Sequence, residues 1–101
     1  VTEDLARRAV ACKHWRWMPG MRYTLPTTSL HGRWKPGLSS HIMPDLTDPA
    51  TLGCLLALVR EAWGDRYLCA SLSPRKLWMV DGWSLHDTEA EALVAALEAA
   101  P

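Results

Sequence analysis

Residues 48–64 constrain the fold most, because both ends of a helix and its buried side are written in one short stretch. Asp48 suits an N-cap, where a carboxylate accepts the unpaired N–H groups of the first turn. Pro49 suits the first helical position, where no N–H is needed. Leu52, Leu55, Leu56, Val59 and Trp63 recur at i, i+3, i+4, i+7 and i+11, a single apolar stripe. Gly64 follows, free to take the left-handed conformation that closes a helix. The sequence therefore predicts a helix over 48–63 that must bury one side against other elements.

Two further helices frame it. Residues 2–13 read as a short helix with Thr2 as N-cap, and Leu5, Ala9 and Cys12 on one face. Residues 89–100 form the last, opened by the capping box Thr88-x-x-Glu91 and striped by Ala90, Leu93, Val94 and Leu97. His14–Met18 reads as a short strand or extended segment, with Trp15 and Trp17 on one face and His14, Arg16 and Met18 on the other; Pro19-Gly20 ends it. Arg22–Leu25 and Leu30–Trp34 are candidate strands in a variable insert at about 19–44. Arg66–Leu72 and Leu77–Leu85 flank the turn Ser73-Pro74-Arg75-Lys76 as a hairpin. The order is α-β-(ββ)-α-β-β-α. It implies a single α+β domain over 1–101, a small antiparallel or mixed sheet packed with about three helices.

Charge is divided along the chain. Residues 1–44 hold seven Lys/Arg against two Asp/Glu, while residues 45–101 hold four against nine, so a net charge of zero hides +5 and −5 halves. A one-signed stretch attracts anions, unless the halves cancel across the folded domain. Phe is absent and Trp occurs six times, more than a core of this size needs. The indole N–H seeks a partner, which suits half-buried and interface positions. Cys12, Cys54 and Cys69 are an odd count without a CxxC pair or a secretory segment, pointing to a reducing cytoplasm; Cys54 and Cys69 lie in apolar runs and read as buried thiols. No apolar run is long enough for a membrane span.

Three kinds of chemistry can be weighed. Cys12, His14, His31 and His41 fit no established zinc spacing, so no metal is expected. Ser39, Ser40 and His41, or Cys69 with His86, offer nucleophile and base types, but no nucleophile elbow or oriented base goes with them, and no catalytic residue or cofactor is assigned. The third is anion binding. His14-Trp15-Arg16-Trp17 and His31-Gly32-Arg33-Trp34-Lys35 interleave indole with guanidinium, which can stack on a base and fork onto a phosphate. With Arg22 between them, the candidate ligand-binding set is His14, Trp15, Arg16, Trp17, Arg22, His31, Arg33, Trp34 and Lys35. The opposing reading is that the indoles anchor the insert and the arginine stems cover them.

Three segments carry a family resemblance: the helix Leu5–Lys13 running into His14-Trp15, the polar turn Pro44–Asp48 feeding Pro49-Ala50-Thr51-Leu52, and the closing helix from Thr88 through Leu93. Together the pattern resembles the phage ABA-sandwich domain of small phage and prophage proteins. The resemblance implies a phage accessory protein with a sheet between helices, active in the cytoplasm of an infected bacterium, and it supplies no catalytic residues. The leading expectation is a non-enzymatic counter-defence protein that sequesters an anionic, nucleotide-type host signal. One alternative is an inhibitor that binds a host defence nuclease, as anti-CRISPR proteins do, with Asp81, Asp87, Glu89 and Glu91 as an acidic working face. Another is a single-stranded nucleic-acid binder, which zero net charge disfavours. Exposed tryptophans also admit a homodimer.

Overall fold

The computed structural model describes residues 2–25, 31–37, 42–80 and 85–101. Helix α1 spans Thr2–Ala11 and turns Leu5, Ala6 and Ala9 into the core, leaving Arg7 and Arg8 outside. Thr2, expected as the cap, stands within the helix itself. Beyond it Cys12 N–H donates to Ala9 and Trp15 N–H to Cys12, a turn that reverses the chain.

Residue 14 lies in a turn and residues 15–18 form no strand, where a short strand or extended segment was expected. His14, Trp15, Trp17 and Met18 are all half-buried and only Arg16 is exposed, so the alternation into two faces fails as well. The cause is packing: Trp15, Trp17 and Met18 all lean on the core. Pro19-Gly20 makes the expected turn, with Gly20 at φ 99° and Met21 N–H donating to Met18.

Met21 is fully buried and leads into β1 (Arg22–Thr24). Strand β1 pairs antiparallel with β2 (His31–Arg33) on one side and β3 (Met43–Pro44) on the other, giving the order β2-β1-β3. Trp34 N–H donates to Met21 carbonyl at 2.6 Å, extending the β1–β2 ladder by one pair. Strand β3 was not expected: two residues ending in Pro give no pattern to read, and it exists because Asp45 N–H bonds back to Arg22 at 2.8 Å.

Helix α2 runs Pro49–Trp63 with Asp48 as N-cap, accepting from Thr51 N–H, and Gly64 at φ 65° as the left-handed C-cap. Its buried residues are Thr51, Leu55, Leu58 and Val59, so the buried face sits a little to one side of the expected stripe, leaving Leu52 and Leu56 half-buried. Thr51 is drawn in because its hydroxyl accepts Arg22 N–H at 2.8 Å, tying the three-stranded sheet to the helix.

The second sheet is a hairpin of β4 (Ala70–Leu72) and β5 (Trp78–Val80). Both strands are shorter than expected. Residues 66–67 turn around the Asp65 carboxylate, which accepts Tyr67 N–H, and Asp81 to Ser84 lie outside the described residues. Ser73 N–H to Leu77 carbonyl, 2.7 Å, closes the turn. Helix α3 (Glu89–Ala99), capped by the Thr88 hydroxyl on Glu91 N–H, packs on α1, α2, β4 and β5. It is the centre of the molecule. Leu93, Val94 and Leu97 are fully buried, each contributing on the order of 2 kcal/mol of hydrophobic stabilisation.

The chain is thus α+β, the described residues forming three helices and two small antiparallel sheets in the expected order. Among the described residues no helix is long and apolar enough to cross a membrane. Cys54 is half-buried and Cys69 exposed, against the expectation of buried thiols: Cys69 lies between buried Leu68 and half-buried Ala70 and turns to the opposite side.

Candidate functional site

The structure draws the three expected tryptophans together. Trp15 and Trp17 meet edge to face at 5.4 Å, and Trp17 and Trp34 stack with centroids 6.3 Å apart and planes 16° from parallel. All three pack against the core. A base sandwiched between Trp17 and Trp34 would need about 7 Å between their planes, twice an aromatic contact distance. The pair is therefore closed to one, and these indoles lean on each other and on the core beneath. Trp15 Nε1 is buried and has no acceptor among the described residues.

The arginines are engaged as well. Arg16 Nη1 donates to both Glu61 oxygens at 2.6 Å. Arg22 Nε lies 3.3 Å from Asp45 Oδ2, an ion pair whose alignment leaves the buried Nε without a hydrogen bond. Arg33 Nη1 donates to Asp48 Oδ2 at 2.5 Å and to Gly20 carbonyl at 3.3 Å. Arg8 joins Glu98 at 2.6 Å in the same manner. Each of these four pairs links a base from residues 1–44 to an acid from residues 45–101. The charge asymmetry of the sequence is therefore cancelled in part across the fold. His14 Nε2 lies 2.9 Å from Pro101 carbonyl.

Asp48 is the most perturbed group. Its carboxyl falls from 3.8 to about 2, chiefly because Arg33 hydrogen-bonds to it, with Thr51 N–H and hydroxyl adding to the effect against partial burial. Arg33 and Arg8 are raised in turn by their bonds to Asp48 and Glu98. Asp45, Asp48 and Glu61 were not among the expected site residues, and nothing local in the sequence marks them as counterions.

What remains outward is a row on β2 and its continuation. His31, Arg33 and Lys35 are all exposed at alternate positions, while Gly32 and Trp34 between them are half-buried. Alternation puts the three on one side of the strand, about 7 Å apart in sequence. The register sets Arg22 opposite Arg33 and Thr24 opposite His31 on that same side. Of the nine expected residues, the fold thus joins His31, Arg33, Lys35 and Arg22 in a surface, and uses Trp15, Trp17 and Trp34 beneath.

Among the described residues, surface concavities of 260 to 410 Å³ are lined by other residues, one of them by Arg60, Glu61, Gly64, Asp65, Arg66 and Tyr67. Among the described residues no three of His, Cys, Asp and Glu come together as metal ligands. Ser39, Ser40 and His41 lie outside the described residues, as does Asp81. Comparison of the chain with protein-family models, curated proteins and solved structures finds no match.

Proposed function

We propose that the chain is a non-enzymatic binding protein that takes an anionic, nucleotide-type ligand on the His31–Arg33–Lys35 row with Arg22 at its side. The observation that supports this reading is the exposure of three cationic side chains at alternate positions of one strand, over an indole layer that holds the strand in place. A guanidinium has five N–H donors, and Arg33 gives only Nη1 to Asp48 and Gly20. It can therefore grip a phosphate without surrendering its cap partner. On the resemblance to phage ABA-sandwich proteins, the ligand would be a nucleotide signal of host defence, held away from its effector in the cytoplasm.

Calorimetry against mononucleotides, cyclic dinucleotides and pyrophosphate tests this. Binding should weaken tenfold or more in the double variant R33A/K35A, and weaken with added salt as screened phosphate contacts do. If none of these ligands binds, or the double variant binds as tightly as wild type, the reading fails.

A further inference from the structure

Strand β4 has an open edge. Trp78 exchanges both backbone bonds with His86 (N–H to carbonyl 2.7 Å, and 2.8 Å in return), so its N–H and C=O point away from β4. Leu72 sits opposite Trp78 in the hairpin, and Ala70 two residues back sits opposite Val80. In an antiparallel ladder the groups of these two residues therefore face outward, while Ser71 is bonded inward to Met79. No partner within the described residues meets the outward N–H and C=O of Ala70 or Leu72. The edge also lacks the usual protection: β4 reads Ala-Ser-Leu, without Lys, Pro or bulge. Leu72 is 53% exposed, and Tyr67 just before the strand is 73% exposed.

We propose that β4 pairs with the β4 of a second copy, antiparallel about a two-fold axis through Ser71. Several observations favour a second copy over an unrelated extended peptide. The open edge is short. Leu68, two residues before Ala70, has its carbonyl taken by Arg60 Nε at 2.7 Å, and Pro74, two residues past Leu72, has no N–H. A partner strand must be equally short, which the chain's own β4 is. With Ser71 opposite Ser71, Ala70 of each copy meets Leu72 of the other, and all four outward groups per chain are paired. Centring on Ala70 instead would set Leu72 against the already occupied Leu68. The pairing turns two two-stranded ribbons, each marginal alone, into one four-stranded sheet. Exposed Leu72 gains the Ala70 methyl of the second copy as a neighbour on the α3 side. This surface lies on the sheet that does not carry the β2 row, so it stands or falls separately from the proposed ligand.

Sedimentation equilibrium of the wild type at rising concentration should show mass approaching twice the monomer. Ser71→Lys and Ser71→Glu place like charges together on the axis, so each alone should be monomeric and their mixture should restore the dimer. Ser71→Cys places two thiols at a non-hydrogen-bonded pair, where Cα atoms lie about 4.5 Å apart and a disulfide can close. It should crosslink under mild oxidation far faster than wild type, whose Cys69 residues stay four positions out of register. A wild type monomeric at millimolar concentration, a mixture of charge variants that stays monomeric, or crosslinking of Ser71→Cys through Cys69 would overturn the proposal. Should the charge variants lose their native tryptophan fluorescence, the cysteine variant decides it alone.

Discussion

Arg33 on β2 holds the carboxylate that caps α2: its Nη1 lies 2.5 Å from Asp48 Oδ2, which also accepts Thr51 N–H and hydroxyl, each at 3.0 Å. One oxygen thus joins the edge of the first sheet to the start of the second helix. The carboxylate is only 9% exposed, whereas Arg33 is 53% exposed. Asp48→Ala removes the cap and three donors' shared acceptor together and should cost about 2 kcal/mol in urea unfolding. Arg33→Ala loses a mostly solvated partner and should move the urea midpoint by clearly less. Equal costs for the two would contradict the division.

The same carboxylate makes stability depend on acid. Because Asp48 titrates at about 2 in the fold against 3.8 ordinarily, its contribution is complete above pH 3.8 and disappears as pH falls through about 2. Melting temperature should drop over that window, and Asp48→Asn should flatten that part of the curve while lowering stability at neutral pH.

Two tryptophans should answer substitution differently. Trp63 Nε1 donates to Ala96 carbonyl at 2.8 Å, whereas Trp15 Nε1 is buried with no acceptor among the described residues. Trp→Phe removes a satisfied donor at one site and an unsatisfied one at the other. Trp63→Phe should be more destabilising than Trp15→Phe by about 1–3 kcal/mol, read from denaturant midpoints. A reversed order would mean that Trp15 finds a partner in solution.

Lys76 closes the β4–β5 turn at φ 62°, the left-handed region that a side chain resists. Lys76→Gly should raise stability by about 0.5 kcal/mol or more, since relief of that strain exceeds the added freedom of the unfolded chain. A loss of stability would show that the Lys76 side chain holds the turn by contacts of its own.

The helices were legible because their signals are local. Asp48 lies three residues from Thr51, and Thr88 three from Glu91, and a cap needs nothing further away. The hairpin turn at Ser73–Lys76 was legible for the same reason. What could not be read depends on distant partners. Arg16 meets Glu61 across 45 residues and Arg8 meets Glu98 across 90, so neither pair leaves a spacing to recognise. His14–Met18 alternates like a strand, but Trp15, Trp17 and Met18 pack against the core and the segment forms no strand. The candidate surface suffered likewise. Trp and Arg adjacent in sequence suggested one pocket, whereas the fold sends the indoles inward and leaves cations on alternate positions of β2.

The peptide bond after Pro44 divides this molecule twice over. Before it lie α1 and the whole three-stranded sheet, and after it lie α2, the hairpin and α3. The net charges of +5 and −5 divide at the same bond, and the four ion pairs described above, among the described residues, all span it. Core residues from both sides interlock, Leu5, Ala9 and Met21 with Leu55, Leu93 and Leu97. Cut there, the chain would give two oppositely charged fragments, each the electrostatic template for the other. Mixed at low salt they should reassemble as a complementing pair, with the charges that pair across the intact fold guiding their encounter.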